Sequence, residues 1–285
     1  AVITTAPQVI ADHNYWGSAG GPLAGSLEGD VVVAPWCVDA ACTEFAPKEG
    51  EVVLPEEASV EEIQAAINNA PEGTTIVLPE GTFTNTGGFE INRPGLTIKL
   101  SSGTIIQNNS PCFVVEADYT RIISEPGAVC KPTNGDHGIV VKDGVTDLVI
   151  SGLEIDGADG TDGIHFEGAV TDIVILNNKI HSLAGNGIEF TAAPAGVVEI
   201  QGNLFKDNGE VAIVSPAQIN AQYNSWGAYD APVIDNVDTS NNTHVDLYLE
   251  SSGTPWVDQV VKDQQIIYTV YGDLKNVMGA SFTLN

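Results

Sequence analysis

A short apolar block that returns every 24 to 26 residues constrains this chain more than any other feature. It reads Gly88-Phe89-Glu90-Ile91, Cys112-Phe113-Val114-Val115, Gly138-Ile139-Val140-Val141, Gly163-Ile164-His165-Phe166, Gly187-Ile188-Glu189-Phe190 and Val211-Ala212-Ile213-Val214. Markers at 89, 113, 139, 164, 188 and 213 are separated by 24, 26, 25, 24 and 25 residues. A second run follows at a near-fixed offset: Leu96-Thr97-Ile98, Arg121-Ile122-Ile123, Leu148-Val149-Ile150, Ile173-Val174-Ile175 and Val198-Glu199-Ile200. Units of this size cannot bury their own apolar face and must stack on their neighbours. The runs are short, rich in β-branched residues and cut by Gly, Asn and Asp, which excludes helix pairs. An all-β coil with one turn per repeat, a parallel β-helix, is the fold this predicts.

Charge narrows the partners. Lys and Arg total 10 against 38 Asp and Glu, a formal charge of −28 over 285 residues. Such a surface repels nucleic acid and anionic membranes, so neither is an expected partner. No apolar run reaches membrane-spanning length, and no membrane insertion is expected in this segment. The first residue, Ala1, follows no Met or leader, which reads as a processed chain or a piece of a longer one.

Cys37, Cys42, Cys112 and Cys130 make an even count with no C-x-x-C pair, which favours disulfides and an oxidising, extracellular compartment over a metal site. Cys37 and Cys42 close a small loop. Cys112 and Cys130 lie at the start and near the end of one coil, and adjacent coils stack at about 4.8 Å, close to the separation a disulfide accepts. The expected pairs are Cys37–Cys42 and Cys112–Cys130.

Ser59-Val60-Glu61-Glu62 has the form of a capping box, and Ile63, Ala66, Ile67 and Ala70 share one face of the helix that follows. A helix here covers the open end of the coil. The stretch from Glu62-Ile63-Gln64 through Pro79-Glu80-Gly81-Thr82-Phe83 resembles the opening of pectin-lyase-like right-handed β-helix families. Gln222-Tyr223-Asn224-Ser225-Trp226-Gly227 resembles the NxWG ending of bacterial and archaeal surface β-helices, and Asp12-His13-Asn14-Tyr15-Trp16-Gly17 resembles it too. A shift of 210 residues aligns Ile3, Gln8, Ala11, Asn14, Trp16 and Gly17 with Ile213, Gln218, Ala221, Asn224, Trp226 and Gly227. The resemblances imply a terminal coil of a preceding β-helix and linker over 1–58, a whole β-helix over 59–227, and a linker with a partial β-sandwich over 228–285. In that last part Ile266–Val270 and Gly279–Asn285, joined through Asp273–Val277, resemble the first strands of cohesin-like domains. Detached ends would leave Ile3, Val9, Trp16, Ile267, Phe282 and Leu284 in need of a partner. Tandem continuity or head-to-tail strand exchange supplies one, giving an open linear assembly of the chain with itself.

Candidate chemistry is sparse. Asn178 and Asn203, with Asn224, occupy corresponding turns and suggest a stacked amide ladder. Asp156, Asp159 and Asp162, spaced by three on a Gly-rich turn with Asp136 one coil earlier, offer oxygen ligands to Ca²⁺, the one expected cofactor. His165 with Glu189, and Glu90 with Lys142, read as stacked polar residues on a solvated sheet face. Asn241-Asn242-Thr243 and Asn108-Asn109-Ser110 fit the N-glycosylation pattern, the second weakened by Pro111. The reading is a non-enzymatic extracellular structural protein: a subunit or repeat of a cell-surface filament, surface layer or adhesin. A β-helix polysaccharide lyase or glycoside hydrolase is the alternative, by fold analogy alone, and a carbohydrate-binding adhesin contacting glycans stands third.

Overall fold

The computed structural model describes residues 50–85, 87–108, 110–133, 135–157, 160–228, 232–251 and 268–275. Before residue 50 it describes the short stretches 2–3, 9–10, 14–16, 27–28, 31–32, 36–37 and 45–46. The repeat predicts the architecture. The repeating coils contribute their strands to three parallel sheets, which run along a β-solenoid. Sheet 1 has six strands, Phe89–Ile91, Phe113–Val115, Ile139–Val141, Ile164–Phe166, Ile188–Phe190 and Ile213–Val214. These are the six sequence blocks, in register: Phe113 pairs with Ile139, Ile139 with Ile164, and Ile164 with Ile188. Sheet 2 has nine strands, from Glu51–Val53 to Val237–Asp238, and sheet 3 has six, from Gly81–Phe83 to Leu204–Lys206. The solenoid therefore extends past the expected 59–227 at both ends, because Glu51–Val53 pairs with Thr75–Leu78 and Ile219–Asn220 with Val237–Asp238.

Alternate residues of each strand point inward and fill the interior. Ile98, Ile122, Ile150, Ile175 and Ile200 form a fully buried column along sheet 2. Aromatic rings also stack along the axis, Phe166 on Phe190 at 4.3 Å and Phe205 on Trp226 at 5.1 Å. Burying each such side chain contributes about 1.5–3 kcal/mol.

At one end α1, Val60–Asn69, lies over the first coils with Ile63, Ala65, Ala66 and Ile67 buried. Its capping box is complete: Ser59 Oγ accepts from the Glu62 amide at 3.2 Å, and Glu62 Oε2 accepts from the Ser59 amide at 2.9 Å. The amide ladder also forms. Asn203 Oδ1 accepts from the Asn178 amide and side chain at 2.9 and 3.0 Å, and Asn224 Oδ1 accepts from Asn203 in the same way at 2.8 and 3.0 Å. Each Nδ2 donates to a sheet 2 carbonyl, of Ile150, Ile175 or Ile200. The residue before each rung of the ladder, Asn177, Gly202 or Tyr223, has positive φ, which turns the chain from sheet 2 to sheet 3.

Cys112 and Cys130 are bonded with a Cα separation of 6.0 Å, both fully buried. They are not axial neighbours, since Cys130 pairs with Ile106 and Ile155 in sheet 3 while Cys112 precedes a sheet 1 strand. The bridge crosses the corner between the two sheets. Cys37 is buried and disulfide-bonded; Cys42 lies outside the described residues.

The terminal segments differ from expectation. Val2–Ile3 pairs in parallel with Leu27–Glu28, and Val9–Ile10 with Val31–Val32, so the strands holding Ile3 and Val9 find partners in their own chain. Trp16 packs against the solenoid core. At the other end a strand runs unbroken over Tyr268–Lys275, through the expected connection, and its antiparallel partner is the upstream His244–Ser251. Ile267, Phe282 and Leu284 lie outside the described residues.

Candidate functional site

Sheet 1 carries the site. A glycine precedes three successive sheet 1 strands, and a Cβ on Gly138, Gly163 or Gly187 would come within 2.4–2.5 Å of the backbone oxygen of the next coil. Only glycine fits there, and its use draws the coils together at this corner. The residue before each glycine forms one column, His137, Asp162 and Asn186. The middle residue of each strand forms a second, Val140, His165 and Glu189, fixed by the strand register. Four titratable side chains thus meet across three coils.

Asp162 is the centre. Its carboxylate is buried, with Oδ1 accepting from the Asn186 amide at 2.7 Å. Oδ2 lies 3.1 Å from His137 Nδ1 and 3.2 Å from His165 Nδ1, and Glu189 Oε2 lies 3.0 Å from the same His165 nitrogen. The His137 and His165 rings stack with centroids 4.1 Å apart. His137 Nδ1 is buried and makes no hydrogen bond, although it lies 3.1 Å from Asp162 Oδ2.

These contacts push the ionisation of the two acids in opposite directions. Burial works against the charge on Asp162, yet the His137 contact and the Asn186 amide outweigh it and lower its pKa to about 2. Burial and the neighbouring Asp162 charge raise Glu189, with His165 only partly offsetting them. The Asp162 contact raises His137 against the opposing effect of its burial. Two neighbouring carboxylates whose pKa values are driven apart are the arrangement acid–base chemistry uses.

Sequence reasoning placed His165 and Glu189 together but on a solvated face; the structure half-buries them beside Asp162. It missed His137. The signal was present, since His137 and Asp162 both stand two residues before the repeat markers at 139 and 164. Of the four expected calcium acids, Asp136, Asp156 and Asp162 lie among the described residues. Asp162 turns to the histidines, while Asp156 lies 3.9 Å from Lys131 and 3.8 Å from His181. Asp136 accepts from the His137 amide at 2.9 Å, and Asp159 lies outside the described residues. Lys142 pairs with Glu167 of the next coil at 2.9 Å and not with Glu90, which lies in register with Val114. Asn108 is fully buried, holding the Asn85 amide at 2.7 Å and donating to the Pro111 carbonyl at 3.1 Å, so its side chain is closed to glycosylation. Asn241 is exposed.

A family model described as the right-handed beta helix region matches residues 82–225. No curated protein and no solved structure matches the chain.

Proposed function

Because the chain belongs to the right-handed β-helix family, found in surface proteins and in polysaccharide-acting enzymes, we propose that it is an extracellular structural module of a cell-surface assembly. One observation carries this reading: five basic side chains among the described residues tie coil to coil. Lys99 pairs with Glu125, Arg121 with Asp147, Lys131 with Asp156, Lys142 with Glu167, and Lys179 with Glu154. Each pair joins adjacent coils, which suits a rod built to persist.

The finer resemblances belong to this proposal: a pectin-lyase-like coil, an NxWG-type closing turn at Asn224-Ser225-Trp226-Gly227, and a cohesin-like sandwich after it. Parallel pairing of Val2 with Leu27, 25 residues on, supports tandem β-helix repeats over strand lending at that end. The partner is then the chain itself or its tandem neighbour. The Asp162–Glu189 pair favours a second reading, cleavage of a polysaccharide. Incubation with acidic and neutral polysaccharides, with products separated by size, decides between them. We expect no cleavage; cleavage that disappears in Asp162→Asn overturns the structural reading.

A further inference from the structure

We propose that His137, Asp162 and His165, with Glu189 as fourth donor, form a site for a divalent transition-metal ion of the Zn²⁺ class. Nδ1 of His137, a carboxylate oxygen of Asp162 and Nδ1 of His165 all lie within 4.8 Å of one another. Ligands about 2.0–2.1 Å from a tetrahedral Zn²⁺ stand about 3.3 Å apart. The contacts of 3.1, 3.2 and 3.0 Å along the edges of this cluster are of that size.

The hydrogen bonding points the same way. His137 Nδ1 is buried with no hydrogen-bond partner, and in the neutral ring it is a lone pair that a metal can take. The Asn186 amide occupies Asp162 Oδ1 and leaves Oδ2 facing both imidazoles, as an outer partner orients a metal-bound carboxylate. His165 and Glu189 stand within sheet 1 strands, and His137 and Asp162 stand two residues before such strands, each next to a glycine packed against the following coil.

Donor chemistry selects the metal. Imidazole nitrogens suit Zn²⁺, Co²⁺, Ni²⁺ or Cu²⁺, whereas Ca²⁺ takes oxygen ligands, usually six to eight of them. Two carboxylates supply compensating charge. Three coils would be joined through one ion, which goes beyond the structural role and does not depend on it.

The test uses the full, untagged chain, stripped with chelator and titrated calorimetrically at neutral pH with Zn²⁺, Co²⁺ and Ca²⁺. We expect one Zn²⁺ per chain, a Co²⁺ complex with the strong visible absorption of four-coordination, and no Ca²⁺ binding at the same concentrations. His137→Gln and Asp162→Asn should each weaken Zn²⁺ binding by about ten-fold or more, while His181→Gln leaves it unchanged. Circular dichroism checks that each variant folds. If Asp162→Asn does not, the half-exposed His137→Gln decides alone. Absence of Zn²⁺ binding by the folded chain, equal affinity for Ca²⁺, or unchanged affinity in folded His137→Gln overturns the site.

Discussion

Asn203 shows how much one side chain can hold. Its Oδ1 accepts from the amide and side chain of Asn178, and its Nδ2 reaches the Ile175 carbonyl and Asn224, all buried. Asn203→Ala strands several of these groups, each worth about 1–3 kcal/mol when left unsatisfied. We expect a loss of about 3 kcal/mol in urea unfolding; a loss below about 1 kcal/mol would show that water replaces the side chain. Glu154 makes a comparable case on the surface. Burial opposes its charge, but bonds from Lys179 at 2.7 Å and His181 at 2.9 Å outweigh it and hold its pKa below the usual glutamate value. A carboxylate whose folded pKa is depressed adds stability above its unfolded value, about 4.3, and that stability is lost as pH falls through the folded value. The melting temperature should therefore drop below about pH 4.3, and Glu154→Gln should flatten part of that drop.

At the scale of elements, α1 and the Cys112–Cys130 bridge secure the same half of the rod. Ser59→Ala removes the acceptor for the Glu62 amide and should cost about 1 kcal/mol. Breaking the bridge, which closes a loop with a sequence separation of 18, should cost about 3 kcal/mol, read as a lower denaturant midpoint for Cys112→Ala with Cys130→Ala. Peptide mapping of the unreduced chain checks the pairing, with Cys37–Cys42 as the second expected bridge. These elements were legible because each has a local or periodic signature. The sheet 1 strands recur with the coil, and the capping box is four residues long. The site was only half legible. His165 and Glu189 share a strand position and could be stacked on paper. His137 and Asp162 stand in turns, where polar residues are the rule, and only the packed glycine after each shows that the turn is pressed against the next coil. For the same reason Asp162 read as one of three acids offered to Ca²⁺ and not as a partner of histidine. The ends were least legible, because short runs such as Val9-Ile10 can pair equally well with their own chain or another.

For the whole molecule, 38 acidic residues against 10 basic ones dominate the long-range energetics. Self-repulsion of that size destabilises a compact state and is screened by salt. Raising NaCl from about 0.01 to 1 M, which shortens the Debye length from about 30 to 3 Å, should raise the melting temperature. A flat or falling response would mean that the coil-to-coil ion pairs, which salt weakens, outweigh the net charge.

Stacking each coil only on its neighbours has a mechanical consequence. A rod of this kind does not share load evenly when pulled from its ends; it peels from whichever end is least anchored. Here the helix and the covalent crosslink both reinforce the coils nearest α1, while the opposite end closes on the two-residue strand Val237–Asp238. Tension should therefore unravel the chain from the Val237 end in steps of about 25 residues, each releasing about 80–90 Å of slack. The stretch between Cys112 and Cys130 would stay locked until the bond between them is reduced. In an optical trap that appears as a sawtooth with one late extension that depends on reductant, so the rod has a built-in direction of failure.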